Sequence, residues 1–246
     1  MAEPHPLAHL EKSNHFYNRG RDTTRLEAFV DAAFAFALTL LVISFDAVPT
    51  NYNELITALK AVPAFLFGFL ILGMFWVAHR NWSIRYGLDT TFASLVSLTL
   101  VFVTLVYVYP LRVMATEAVS KMTGEWLPSE FVVRSAAEAR GLFVIYAIGF
   151  MASNLCIIAL NWHAFRQADR LQLTPEERLL TIGEIVAWTI VGSMGLISLL
   201  LAVALPDNLI GFAGWSYALL GLIMPVFGIV LSKRFDARFP NAEPDV

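Results

Sequence analysis

Charged residues are scarce in this chain, and cysteine is nearly absent. Of the 246 residues only 15% are charged, whereas soluble domains carry about 25%. The single cysteine, Cys156, excludes an intrachain disulfide and a cysteine-based metal cluster. The net charge of −3 gives no reason to expect nucleic acid as a partner. Hydrophobic residues make up 57% of the chain, and this composition predicts an integral membrane protein.

Catalytic motifs are also missing. The sequence contains no Walker loop, no dinucleotide-binding glycine pattern, no His-Glu-x-x-His and no Gly-x-Ser-x-Gly. It therefore predicts neither an enzyme nor a bound cofactor or metal. Residues 1–24 are polar and lack the apolar run of a signal peptide, so the first apolar segment is expected to remain in the mature protein.

Six apolar segments are long enough to cross a bilayer as helices, which takes about 20 residues each. They are residues 27–46, 60–78, 91–111, 141–162, 184–205 and 209–231. Pro110 is expected to stop or kink the third helix, and 112–140 is expected to be a charged connection with short amphipathic pieces. The predicted organisation is a membrane domain (25–234) between an N-terminal tail (1–24) and a C-terminal tail (235–246).

The distribution of Lys and Arg predicts the orientation. These residues are concentrated before the first span and after the second, fourth and sixth spans. Because positive charge is retained on the cytoplasmic side, both termini of this multi-pass protein are expected in the cytoplasm, with the spans in the cell (plasma) membrane.

The first span, "RLEAFVDAAFAFALTLLVISFD", has one continuous apolar stripe. Successive helix residues turn by about 100°, so five side chains fall on one side of the helix. They are Phe29, Phe36, Thr39, Leu40 and Ile43. Asp31 lies on another side, away from this stripe.

Asp31 needs a partner if its helix lies in a membrane. The end of the second span, "GMFWVAHRNW", places Trp76, His79 and Arg80 on roughly one face, and Arg25 is a further candidate. Two interpretations remain open: a polar cluster that pins the helices together, or a pH-sensitive latch.

The same residues fit a known signature. Arg25, Phe29 and Asp31 match an Arg-x-x-x-Phe-Ser-Asp pattern at the start of a first membrane helix, with Val30 in place of the serine. The continuation "AFAFALTLLVIS" and the second-span "FWVAHR" also fit. Together they resemble the transmembrane protein 175 family, the endosomal and lysosomal potassium channels and their prokaryotic relatives.

The resemblance implies a homotetramer of six-helix subunits in which the first helix of each lines a central pore for potassium and other monovalent cations. The family lacks a potassium-channel filter loop, and this sequence has no "TVGYG". Carried over by position, the apolar pore constriction would be Phe36, Leu40 and Ile43, with Thr39 as a polar ring. Arg25, Phe29, Asp31, Trp76 and His79 would form the signature and its polar network.

A constriction of this kind conducts by hydration: an apolar ring excludes water when narrow and admits it when widened. Asp46, at the far end of the first span, could concentrate cations at the outer mouth, or it could be a solvated helix-end carboxylate. The alternative for Thr39 is a hydrogen bond to the carbonyl of Ala35 within its own helix. The apolar stripe could instead pack in the bundle core or face lipid.

Two other functions fit the sequence. A proton-coupled secondary transporter would use Asp31 and His79, although transporters usually place ionisable groups near the bilayer midplane rather than at one end. A non-conducting membrane scaffold would need no chemical site at all.

Overall fold

The computed structural model describes residues 7, 10–20, 22–42, 50–124, 126 and 133–240. Two of the predicted site residues, Ile43 and Asp46, lie outside these ranges.

Helices dominate the described chain, which confirms the predicted all-α class. They are α1 (Arg25–Val42), α2 (Tyr52–Lys60), α3 (Val62–Tyr86), α4 (Thr91–Met122), α5 (Ala136–Arg166), α6 (Pro175–Ala204), α7 (Phe212–Trp215) and α8 (Leu220–Arg238). Ahead of them, two short antiparallel strands, β1 (Lys12–Ser13) and β2 (Phe16–Tyr17), form a hairpin.

Over the described residues, five helical stretches are long and apolar enough to cross a membrane, one fewer than the six predicted. They are Tyr52–Tyr86, Thr91–Met122, Ala136–Arg166, Pro175–Ala204 and Asp207–Arg238. The remaining helix, α1, has 18 residues and includes three charged ones, Arg25, Glu27 and Asp31. The chain is a multi-pass membrane protein.

Pro110 does not stop the helix, so that part of the expectation is wrong. Helix α4 continues through this proline to Met122, so the predicted connection over 112–140 is helical in its first part and again from Ala136. A proline is tolerated inside a membrane helix when neighbouring helices re-satisfy the carbonyl that it frees, and α4 packs against α1, α3 and α5.

Helix starts are set by side-chain caps. Thr90, Ser135 and Thr174 each have extended backbone, and each side chain accepts a hydrogen bond from the backbone three residues on. At α6 the cap is reciprocal, because the Glu177 carboxylate accepts from the Thr174 backbone N–H at 2.8 Å. Such a capping box satisfies two backbone donors that the helix itself leaves unpaired.

The long helices alternate in direction, so α1, α4 and α6 begin at the end of the bundle where α3 and α5 finish. We call this end the base. Contacts between these termini define it: Gly20 N–H donates to the Ile84 carbonyl at 2.9 Å, and Thr90 Oγ1 lies 2.9 Å from His163 Nε2. Residues before α1 also pack here, and Phe16 is only 1% exposed among aromatic and aliphatic side chains of the base.

The main core joins α1, α3, α4, α5 and α6. Within it the Tyr146 ring contacts those of Tyr107, Phe150 and Tyr217, and Phe150 also contacts Tyr217, with centroids 5.3–6.2 Å apart. Gly149 lets α4 and α5 approach at this point, because a Cβ atom there would lie 2.4 Å from the Tyr107 ring. Tyr107 is 1% exposed, so its ring has little room to move.

Gly149→Ala should therefore lower the thermal unfolding temperature of the detergent-solubilised protein. Overpacking of a filled core costs about 1–3 kcal/mol. Gly228→Ala in α8 is the matched control, because a Cβ there meets nothing within 4 Å and alanine favours helix. Equal behaviour of the two variants would contradict the close packing of α4 on α5.

Candidate functional site

Helix α1 begins at a second capping box, formed by Thr24 and Glu27. The Thr24 backbone N–H donates to Glu27 Oε2 at 2.6 Å, and the Glu27 N–H donates to Thr24 Oγ1 at 3.2 Å. The other carboxylate oxygen of Glu27 accepts a hydrogen bond from the Ser83 hydroxyl near the end of α3. The Glu27 side chain thus caps the N-terminus of α1 and also bonds α1 to α3.

One face of α1 is packed into the subunit. Val30, Phe34, Ala37 and Leu41 are at most 4% exposed and belong to the main core. Their spacing of three and four residues is that of one helix face. This face contacts α3 and α4.

A different face of α1 carries the predicted pore residues, and the other described residues leave much of it uncovered. Phe36 is 55% exposed and Phe29 is 53% exposed. Thr39 is exposed as well, whereas Leu40 is half-buried against the edge of the main core. One alternative was that this stripe packs in the core of the bundle. The exposure of Phe36 argues against that alternative, whereas the half-burial of Leu40 partly agrees with it.

Thr39 makes a hydrogen bond within its own helix, but with a different carbonyl from the one considered. Its hydroxyl donates to the Phe36 carbonyl at 2.7 Å, not to that of Ala35. The hydroxyl proton is therefore engaged, and the oxygen lone pairs are what this side chain offers to a further partner.

Asp31 lies beside α3, as the sequence suggested. Its Oδ1 accepts a hydrogen bond from Trp76 Nε1 at 2.8 Å. The carboxylate is exposed within this chain and reaches two clefts. An apolar cleft of about 730 Å³ beside Phe34 and Leu38 lies on one side, and a polar cleft of about 410 Å³ that includes Arg80 lies on the other.

His79 is not brought into hydrogen-bond contact with Asp31. It is 2% exposed, and its Nε2 lies 2.9 Å from Ser97 Oγ on α4. Arg25 is exposed at the first position of α1, and Asp31 is paired with Trp76 rather than with Arg25. The signature residues therefore make two separate hydrogen bonds: Asp31 with Trp76 connects α1 to α3, and His79 with Ser97 connects α3 to α4.

Sequence reasoning missed Glu27, Ser83 and Ser97. For Glu27 the signal was present, since Thr-x-x-Glu before an apolar run is a capping box. For the serines there was none, because a serine in a membrane helix is common and its partner depends on which helices meet. Within the described ranges, no group of three His, Cys, Asp or Glu side chains is arranged to hold a metal ion.

Comparison with known proteins identifies the chain's relatives. Residues 25–110 match the family model described as endosomal/lysosomal potassium channel TMEM175. A protein of Marivirga tractuosa named "Potassium channel" is 32% identical over 227 residues, covering 89% of this chain and 92% of that protein.

A solved structure is similar over nearly the whole chain. It is the crystal structure of a variant of the potassium channel MtTMEM175 in complex with a nanobody–MBP fusion, with a TM-score of 0.77 and 31% sequence identity. The match covers 91% of this chain and 100% of that chain. The resemblance drawn from the sequence is confirmed: the chain belongs to the TMEM175 family, a family of potassium channels and not of enzymes.

Proposed function

We propose that this chain forms a potassium-permeable cation channel, in which the first helices of four identical subunits surround a central pore in the cell membrane. The observation that carries the proposal is the stripe on α1. Phe34 and Ala37 bury one face of α1 in the subunit core, whereas Phe36, on another face of the same turns, is more than half exposed.

Assembly of several subunits would place this exposed stripe around a shared axis. Nothing in the described chain lies opposite Phe29 and Phe36, so a pore needs further copies of α1 around an axis. Closed rotational symmetry is the usual way in which identical subunits meet. Four copies are what the resemblance to the family implies, and potassium as the permeant ion is supported by two relatives that are named as potassium channels.

The constriction would be apolar and would work by hydration. Rings of Phe36 and Leu40, with Ile43 beyond the described residues, would exclude water when narrow and admit it after a small outward movement of α1. Thr39 would add a ring of oxygens. Because its proton is given to the Phe36 carbonyl, the hydroxyl presents lone pairs, which suit a cation better than an anion.

The charged groups of α1 are proposed to position the helix and the ions around it. With both termini cytoplasmic, the base faces the cytoplasm, and the Asp31–Trp76 bond holds α1 on α3 there. Asp46 would lie at the opposite, outer mouth. The bonds of Asp31 to Trp76 and of His79 to Ser97 favour a polar cluster that pins helices over a latch formed by the two titratable groups together.

The first prediction of this proposal concerns the pore stripe. Phe36→Ser and Leu40→Asn should raise the single-channel current in planar bilayers, because a polar ring hydrates more readily than an apolar one. The control is Phe102→Ser on α4, since Phe102 is also an exposed aromatic residue at 68% but is not on α1. If all three variants conduct as the unmodified protein does, α1 does not line the pore.

The second prediction concerns assembly. The detergent-corrected mass of the purified protein should be four times the 27.4 kDa of the chain. Light scattering with separate detection of protein and detergent measures this value. A stable monomer that still conducts would contradict an axial pore.

The third prediction separates a channel from a proton-coupled transporter. Potassium flux into liposomes should run on a potassium gradient alone, should not saturate like a carrier, and should persist in Asp31→Asn. The asparagine keeps an oxygen that accepts from Trp76 while it removes the titratable charge. Flux that requires a pH gradient and disappears in Asp31→Asn would favour the transporter.

A further inference from the structure

The segment before α1 is bound to the base of the bundle through a buried ion pair. Arg19 Nη1 and Nη2 donate to the two carboxylate oxygens of Glu177, at 2.7 and 2.8 Å. The Arg19 side chain is 7% exposed and the Glu177 side chain is fully buried. A two-pronged pair of this kind fixes geometry as well as contributing attraction. We call residues 10–20, which carry Arg19, the clamp.

Glu177 is fully committed to this arrangement. Its Oε1 also accepts from the Tyr17 backbone N–H at 2.9 Å, and its Oε2 accepts from the Thr174 N–H at 2.8 Å. The carboxylate lies in the first turn of α6, where the helix dipole favours negative charge. The residue that caps α6 is therefore also the anchor of the clamp.

Arg19 also donates to backbone carbonyls around Glu177. Besides Glu177, it donates to the carbonyls of Tyr17 in the clamp, Leu171 between α5 and α6, and Arg85 near the end of α3. These acceptors are more than 60 residues apart along the chain. The guanidinium thus links the clamp to α3, to α6 and to the connection between α5 and α6.

Apolar contact and close backbone approach hold the rest of the clamp. Asn14 and His15 have positive φ values of 47° and 61° and form the tight turn of the hairpin. This turn brings Phe16 beneath the Arg85 guanidinium, which lies 4.4 Å from the ring centroid. At the end of the clamp a Cβ on Gly20 would lie 2.5 Å from the Ser83 carbonyl oxygen.

The clamp leads directly into the proposed pore helix. Only residues 21–24 separate Gly20 from Arg25, and a chain of that length spans at most about 3.6 Å per residue. Thr24 then caps α1, and Glu27 is bonded to Ser83 on α3. The first turn of α1 is therefore held between two attachments to the last turns of α3.

We propose that Arg19 and Glu177 are positioning residues for conduction: through the clamp they hold the base of α1 away from the pore axis. This inference rests on the proposed function. In a pore lined by apolar side chains, contact between the four stripes removes apolar surface from water and favours closure. An attachment at the base opposes that movement without touching the constriction itself.

Release of the clamp should therefore lower the open probability and leave the single-channel current unchanged. The central variant is Arg19→Met, recorded in planar bilayers. The expected fall in the open-to-closed ratio is on the order of tenfold, as if the equivalent of one of the lost charged hydrogen bonds acted on the closing movement. The matched control is Glu176→Gln, which removes only the more exposed ion pair with Lys12, 3.3 Å long, and should conduct normally.

Two further variants guard against simple misfolding. Arg19→Met combined with Glu177→Gln removes both charges, so no lone carboxylate is left buried. Gly20→Ala displaces the clamp from Ser83 without changing any charge. Both should retain the oligomeric mass and the single-channel current of the unmodified protein, and both should show the reduced open probability.

Hydrogen exchange reports the attachment independently of conduction. In Arg19→Met, the amides of Tyr17 and Gly20, which donate to Glu177 and Ile84, should exchange faster, and so should the first turn of α1. Faster exchange with an unchanged open probability would overturn the gating role. Unchanged exchange would overturn Arg19 as the anchor. Absence of current from the unmodified protein would overturn the proposed function, and the gating role with it, while the exchange rates still test the attachment.

Discussion

Polar groups at the base of the bundle are matched by partners from other elements, and the arrangement of the helices depends on this matching. Asp31 on α1 pairs with Trp76 on α3, and Trp82 on α3 donates to the Leu160 carbonyl on α5. An unpaired polar group beside hydrocarbon costs several kcal/mol, and breaking a buried ion pair costs about 3–5 kcal/mol. These bonds therefore fix which helices are neighbours, a choice that apolar contact alone leaves open because lipid is equally apolar.

The same matching explains how α1 can be firmly placed and yet leave one side without cover. Its first two turns are bonded to α3 through Glu27 and Asp31, and its packed face carries Phe34 and Leu41. Neither set of contacts uses the side of the helix that bears Phe36. A helix held in this way can line a cavity between subunits without relying on the partner copies for its own position.

Local patterns predicted much of this from the sequence, and long-range pairing accounts for most of what they missed. Asp31 and Trp76 could be matched because each stood out in an apolar segment. His79 was assigned to the same cluster because its partner, Ser97, gives no signal of its own. Residues 1–24 looked like a polar tail, since Arg19 and Glu177 are separated by 158 residues. A helix end at Pro110 was considered because proline breaks helices in soluble proteins. In a membrane bundle, neighbouring helices can satisfy the carbonyl that the proline leaves unpaired.

The clamp is attached by an ion pair rather than by an apolar contact, and this choice affects how precisely the clamp is positioned. Replacing a buried pair by well-packed apolar residues is often neutral or stabilising, so stability alone does not account for Arg19 and Glu177. The pair instead fixes the position of the clamp on α6. A planar guanidinium that donates two hydrogen bonds to a carboxylate has one favourable geometry, whereas an apolar side chain can shift within its pocket. Because Glu177 is fixed by its own capping box, that geometry places Gly20, and therefore the start of α1, at one defined position. A constriction that opens by small helix movements requires such a fixed point at one end.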